Sequence, residues 1–293
     1  MRRFDFMQNN ALVVNNLTKK YQDFVLDKVS FLVPSGTIVG LIGENGAGKS
    51  TTINAILGLI NKDSGSIEVL GHVDTQGDDT LRNQIGVVFD GNNYPDVLSA
   101  KKLNNIFKNV YSTWDERRYF SLLEGMSLPM NKKVKEFSKG MKMKLSIAVA
   151  LSHDSKLLIL DEATSGLDPV VRDDILDMFL EFVQDEDHSI LVSSHITSDL
   201  EKVADYIVFI HKGKVVFCKP KDELRYKYGI LRCGLAQFEA IDEEDIIAYR
   251  KHEYEWEVLV ADRDYVKKKY PKAVVDSATI DEIMLLYVKG EVR

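Results

Sequence analysis

The sequence predicts an α/β fold, because apolar runs of strand length alternate along the chain with segments of helical periodicity. An apolar strand at residues 37–42 leads through a glycine-rich loop into a helix at 50–57. A second apolar strand, at 156–161, precedes a helix with Asp168 as its N-cap. A third apolar strand follows at 189–193. We therefore expect these three strands to be buried.

The loop at 43–50 fits the pattern G-x-x-x-x-G-K-[ST] at every fixed position. Glycines let the backbone curl around a phosphate and direct its N–H groups inward, and the next helix adds its positive end. Lys49 can reach the β- and γ-phosphate oxygens, and the Ser50 hydroxyl can ligate Mg²⁺. The residues expected to bind ATP here are Gly43, Asn45, Gly46, Ala47, Gly48, Lys49, Ser50 and Thr51.

Two adjacent carboxylates, Asp161 and Glu162, end the second strand. Carboxylates in that place are costly unless they face a cation or water, so the pair indicates a metal site. We expect Asp161 to hold Mg²⁺ directly or through water, and Glu162 to polarise the water that attacks the γ-phosphate. Many buried strands end in Asp-Glu, but beside a phosphate loop the pair predicts ATP hydrolysis.

Tyr21 and His195 each have two possible roles. Tyr21 lies on a short polar loop, where its ring could stack on a nucleotide base or simply pack half-buried. His195 follows the third strand and could be a catalytic group or an ordinary surface histidine.

Composition narrows the possible partners. Lys and Arg total 38 against 45 Asp and Glu, and the net charge of −7 disfavours nucleic-acid binding. Two cysteines cannot build a disulfide framework, which favours a reduced, cytoplasmic setting. No apolar run reaches the ~18 residues that would span a bilayer, and residues 1–6 lack the apolar segment of a secretory signal.

The pattern along the chain predicts two domains. Residues 1–219 form the first, with antiparallel strands at 11–17 and 24–33 near its start and an inserted helical lobe at about 91–155. A turn at 63–66 is expected before a short strand, and a hairpin closes the domain. Residues 220–293 form a small α+β accessory domain, with a half-exposed strand at 254–260 and a capping box from Thr279 to Glu282.

With two more segments, these motifs resemble the ATP-binding subunit of ABC transporters over about three quarters of the chain. Phe-Ser-Lys-Gly-Met at 137–141 stands where that family has its L-S-G-G-Q signature, and Ser-Gly-Leu-Asp at 165–168 matches its D-loop. The resemblance implies a RecA-like core sheet, an antiparallel β subdomain and an inserted helical subdomain. It also implies roles at the nucleotide for Tyr21, Ser138, Gly140, Asp168 and His195.

Family membership implies a head-to-tail dimer in which the phosphate loop of one protomer and the signature of the other enclose ATP. Two copies of this chain are the expected pair, and a separate membrane permease is the expected partner. The protein would then be peripheral on the inner face of the membrane. A soluble ABC-type ATPase that acts as a regulatory switch is the alternative.

Two departures from the family pattern stand out. Asp90 lies where the family has a glutamine, and a carboxylate there would sense Mg²⁺ or water because it cannot donate as an amide does. Lys139 and Met141 replace Gly and Gln of the signature. Asp90, the Met- and Lys-rich segment at 140–145 and the C-terminal accessory domain together resemble the exporter ATPases of Gram-positive bacteria. The resemblance is strongest to those that export amphipathic cytolytic peptides of the phenol-soluble modulin type.

Overall fold

A computed structural model describes residues 9–73, 78–91, 93–253 and 255–292, and within them the chain forms three β-sheets. The expectations for residues 1–6 and for Tyr254 lie outside these ranges. The strands are β1 (Asn10–Lys20), β2 (Val25–Pro34), β3 (Ile38–Ile42), β4 (Ser64–Val69), β5 (His72–Val73), β6 (Ile85–Val88), β7 (Leu157–Asp161), β8 (Ser189–Ser194), β9 (Tyr206–His211), β10 (Lys214–Pro220), β11 (Gly229–Cys233), β12 (Ala248–Lys251), β13 (Trp256–Val260), β14 (Val274–Ser277) and β15 (Glu291–Val292). The helices are α1 (Lys49–Ile56), α2 (Asp79–Arg82), α3 (Ala100–Val110), α4 (Glu116–Gly125), α5 (Lys139–Ala150), α6 (Pro169–Phe182), α7 (Thr197–Val203), α8 (Lys221–Tyr226), α9 (Leu235–Phe238), α10 (Arg263–Lys269) and α11 (Ile280–Lys289).

The central sheet has six strands in the order β10-β9-β3-β8-β7-β6. The pairs from β9 to β6 are parallel, and β10 returns antiparallel to β9 through the predicted hairpin. Successive residues of β7 face opposite sides, so Leu158 and Leu160 enter one hydrophobic core while Leu157 and Ile159 enter the other. Because the parallel strands share a direction, the segments that follow β3, β6, β7 and β8 all lie along the carboxyl ends of the strands.

A second sheet, in the order β2-β1-β4-β5, is antiparallel, as expected for β1 and β2. The predicted turn at 63–66 is wrong in part, because β4 already begins at Ser64. Gly65 has a φ of +93°, and a Cβ there would lie 2.4 Å from the Asn16 carbonyl oxygen. The turn-like glycine therefore belongs to a strand whose neighbour comes unusually close.

The predicted helical lobe consists of α3, α4 and α5 between β6 and β7. Ser99 and Asp115 cap the first two helices with their side chains. Tyr119 of α4 is fully buried, and its hydroxyl donates to the Ala100 carbonyl. The lobe packs into the same core as the face of the central sheet that holds Leu158.

The C-terminal region folds as α+β around an antiparallel sheet in the order β14-β11-β13-β12-β15. Helix α11 begins at the predicted capping box of Thr279 and Glu282. Its apolar residues Ile280, Ile283 and Leu286 join the core that contains Leu200 of α7. Among the described residues, no helix has the length and apolar character needed to cross a membrane.

Candidate active site

The phosphate loop connects β3 to α1 at the carboxyl edge of the central sheet. Gly46 and Gly48 have φ values of +80° and +113°, a region that L side chains rarely adopt. A Cβ on Gly48 would lie 3.0 Å from Phe24 and Leu26, whereas one on Gly46 would meet nothing within 4 Å. The loop therefore packs against Phe24 and Leu26 at Gly48. At Gly46 it is open, and we expect a phosphate to bind on that side.

Lys49 is buried in the first turn of α1, with 6% of its side chain exposed. Its ammonium donates to the carbonyls of Gly43 and Glu44 at 2.8 and 3.3 Å and lies 3.3 Å from Oε1 of Glu162. A buried ammonium is stable only when its donors are used. These contacts hold Lys49 in the loop. Phosphate oxygens bound there would compete with the Glu162 carboxylate for the Lys49 ammonium.

Glu162 occupies a strained position just beyond β7. Its φ of +55° is unusual for a residue with a long side chain, and its N–H donates to the carbonyl and the hydroxyl of Ser193, both at 3.1 Å. Its Oε2 lies 2.6 Å from Nδ1 of His195. The strain directs one carboxylate at both Lys49 and His195, so three residues assigned to catalysis from sequence are brought together.

Asp161 is almost fully buried and accepts a hydrogen bond from the Ser193 hydroxyl. Ser50, in contrast, is an exposed residue at the start of α1. Among the described residues, no group of three or more His, Cys, Asp or Glu could hold a metal ion. The donors here are one hydroxyl and one carboxylate, which fit Mg²⁺ if phosphate oxygens and water complete its octahedron.

Tyr21 lies in the turn between β1 and β2 with 47% of its surface exposed. Its ring centroid is 6.5 Å from that of Phe24, the residue that contacts Gly48, and 5.7 Å from the Lys19 ammonium. With about half of its surface exposed, the ring fits both the stacking role and the half-buried packing role. It is available for stacking next to the phosphate loop.

The signature residues form a second group. Ser138 caps α5 by accepting from the Met141 N–H at 3.2 Å, and Asp168 caps α6 by accepting from the Val171 N–H at 3.1 Å. A Cβ on Gly140 would lie 3.2 Å from Val171, so the two helix starts touch. Ser138 and Asp168 are exposed and Gly140 is buried, and in the described parts of the chain no hydrogen bond or ion pair joins this group to the phosphate loop.

Asp90, predicted as a metal ligand, lies beside Lys139, with 3.2 Å between its Oδ1 and the ammonium. Both side chains are about half exposed. The ammonium also lies against Gly166, where an added Cβ would be 3.0 Å away. A metal ion at Asp90 would have to compete with this cation.

Sequence reasoning missed Ser193, which bonds both to Asp161 and to the backbone of Glu162. Its signal was weak: a pair of serines ends an otherwise apolar strand, just before His195. Arg172 and Asp199, on α6 and α7, were also missed. Nη2 of Arg172 donates to the Leu167 carbonyl, and its Nε lies 3.8 Å from Oδ2 of Asp199.

Comparison with known proteins agrees with this geometry. The sequence profile of the ABC transporter family matches residues 26–165. The lantibiotic transport ATP-binding protein SrtF of Streptococcus pyogenes is 36% identical over 226 residues, which cover 72% of this chain and 91% of that protein. The bacitracin transport ATP-binding protein BcrA of Bacillus licheniformis is 35% identical over 220 residues, covering 74% and 72% respectively.

Solved structures show the same fold. The ATP-binding subunit of an ABC transporter matches with a TM-score of 0.65 at 32% identity, covering 73% of this chain and 92% of that one. The protein cbiO1 of Clostridium perfringens, described as part of the ABC transporter complex cbiONQ, matches with a TM-score of 0.64 at 25% identity, covering 74% and 91%. With the phosphate loop, the carboxylate pair and these relatives in agreement, the chain belongs to the ABC transporter family as one of its ATP-binding, ATP-hydrolysing subunits.

Proposed function

We propose that this ATPase powers export through a separate membrane permease, and that Glu162 is the base of its hydrolytic step. The observation that carries the assignment is the placement of one strained carboxylate between Lys49, at 3.3 Å, and His195, at 2.6 Å. When ATP binds, its γ-phosphate takes over the Lys49 ammonium, which releases Oε1 of Glu162 to accept a proton from water. His195, anchored by Oε2, is then placed to donate toward the phosphate.

Mg²⁺, held by Ser50 and Asp161, would neutralise charge on the phosphates and orient them. Ser193 supports this arrangement, because its hydroxyl keeps Asp161 in one orientation while its carbonyl accepts from the Glu162 N–H. Tyr21 would stack on the base and leave the phosphates to the loop.

The group of Ser138, Gly140 and Asp168 supports a dimer of two identical chains, because Ser138 and Asp168 are exposed at the starts of their helices. A serine hydroxyl and the N-terminus of the twelve-residue helix α5 are suitable donors for phosphate oxygens, yet among the described residues no hydrogen bond or ion pair joins them to the phosphate loop of the same chain. A second copy turned head to tail would bring them to the ATP of its neighbour. Each site would then be completed by the partner.

We propose an amphipathic peptide or another toxic compound as the cargo and the inner face of the cell membrane as the location. Support comes from the relatives named for lantibiotic and bacitracin transport and from the cbiO1 structure, which is described as part of a transporter complex. The permease would supply the membrane path and the contact with cargo.

The substitution Glu162→Gln tests the assignment, because it keeps the size and one acceptor oxygen but cannot take a proton. We expect ATP hydrolysis to slow by about 10²- to 10⁴-fold, with ATP affinity retained. Steady-state hydrolysis and an equilibrium ATP titration measure the two effects. Hydrolysis near the wild-type rate in this variant would remove Glu162 from the mechanism.

A further inference from the structure

Behind the site, helix α7 is held between two other helices. It begins two residues after His195, so its position fixes where the imidazole can lie. On one side it packs against α6, whose N-cap is Asp168. On the other side it packs against α11, whose first N–H, that of Ile280, donates to Oε1 of Glu201 at 3.1 Å. A shift of α7 would therefore move His195 directly.

One side chain connects α7 to the loop after β7. Arg172 of α6 donates from Nη2 to the Leu167 carbonyl at 3.3 Å, within the 165–168 loop. Its Nε faces Oδ2 of Asp199 on α7 at 3.8 Å. A single guanidinium thus touches the loop that follows Glu162 and the helix that follows His195.

The contact between Arg172 and Asp199 is incomplete. Only 4% of the Asp199 side chain is exposed, and within the described residues neither its Oδ2 nor Nε of Arg172 has a hydrogen-bond partner. Buried charged groups left without such a bond are costly, and a shortening of about 0.9 Å would bring this pair to an ordinary N–H···O distance. The arrangement favours a small closing movement of α7 toward α6.

We propose that Arg172 and Asp199 are positioning residues that couple the 165–168 loop to His195, and that their hydrogen bond forms as the site closes on ATP. The inference rests on the proposed role of His195. The closing movement would bring the imidazole and the loop to their catalytic positions at the same time. A misplacement of about 1 Å in such a group is enough to slow catalysis about 100-fold.

The test compares two identical chemical changes between the same two helices. Asp199→Asn removes the carboxylate charge from the pair with Arg172, whose atoms are 3.8 Å apart. Asp173→Asn removes the carboxylate charge from the exposed pair with Lys202, whose atoms are already within hydrogen-bond distance at 2.8 Å. We expect Asp199→Asn to lower kcat by about 10- to 100-fold with the Kd for ATP unchanged, and Asp173→Asn to leave both within about twofold. Arg172→Lys, which retains the charge but loses the planar fork, should lower kcat in the same way.

A double-mutant cycle with His195→Ala separates positioning from simple stabilisation. If Asp199 acts through the imidazole, Asp199→Asn will have little further effect on kcat once His195 is gone. Equal losses in the two Asn variants, a loss of ATP affinity that accounts for the slower rate, or additivity with His195→Ala would each overturn the proposal. Wild-type hydrolysis by His195→Ala would instead refute the function assigned to His195 itself.

Discussion

At the residue scale, the site depends on backbone conformations that side chains ordinarily avoid. Glu162 adopts a φ of +55° and Gly48 one of +113°. The first is tolerated because two hydrogen bonds to Ser193 hold the Glu162 N–H. The second is possible because glycine has no Cβ. Strain of this kind is kept at functional sites, here beside the Glu162 carboxylate and within the phosphate loop.

Gly48→Ala should weaken ATP binding by at least about 10-fold, because the new Cβ combines a strained φ with 3.0 Å contacts to Phe24 and Leu26. Gly71→Ala is the matched control: its φ is +80°, but a Cβ there meets nothing within 4 Å. Both variants should lose about 1–2 kcal/mol of stability from the left-handed backbone. ATP titration and thermal unfolding separate the two effects, and normal ATP affinity in Gly48→Ala would contradict the packing argument.

At the scale of elements, the turn between α5 and β7 is held by a buried histidine. His153 is 4% exposed, its ring stacks on Tyr111 with centroids 3.9 Å apart, and its Nδ1 lies 2.7 Å from the Asn83 carbonyl. Burial lowers the pKa of His153 below its usual value, because the charged ring would lose its hydration, although the bond to Asn83 opposes this. The imidazole, whose neutral form burial favours, therefore joins Tyr111 at the end of α3 to Asn83 at the end of α2.

Acidification should lower the stability that His153 contributes to the fold. The unfolded chain takes up a proton near the ordinary histidine pKa of about 6.5, whereas folded His153 does so only at lower pH. Between those values the unfolded state binds more protons, so the free energy of unfolding should fall as pH drops below about 6.5. Urea unfolding at pH 7.5 and 5.5 measures the fall, and His153→Gln should show less of it than the wild type. An equal fall in both proteins would exclude His153 as the cause.

At the scale of the whole molecule, the accessory region is joined to the ATPase core. Ile283 and Leu286 of α11 share one hydrophobic core with Leu200 of α7 and Ile207 of β9. The predicted domain boundary between residues 219 and 220 stays a prediction. Two separate domains would have to divide this shared hydrophobic core between them. Contact with α7 also places the accessory region one helix away from His195.

The dimer is the prediction that belongs to this scale. Glu162→Gln with saturating ATP and Mg²⁺ should form a stable pair, since ATP would bridge the two chains and hydrolysis would not release them. Light scattering measures the mass, and Glu162→Gln combined with Lys49→Ala should stay monomeric as the control. A Glu162→Gln protein that remains monomeric with ATP, with or without its permease, would contradict the head-to-tail arrangement.

The sequence by itself determined the features that depend on neighbouring residues. A phosphate loop needs its glycines, lysine and serine within eight consecutive positions, and the caps Asp168 and Thr279 act within one helical turn. These features were therefore visible without a structure, as was the hairpin of β9 and β10.

The tertiary structure alone decided the contacts between distant segments. The accessory sheet pairs β11 with β13 and β14, and no local pattern sets that register. The pairing of Asp90 with Lys139 and of Arg172 with Asp199 likewise depends on how helices dock on the sheet. The physical reason is that local backbone preferences act over a few residues, whereas packing brings together side chains whose separation along the chain carries no signal.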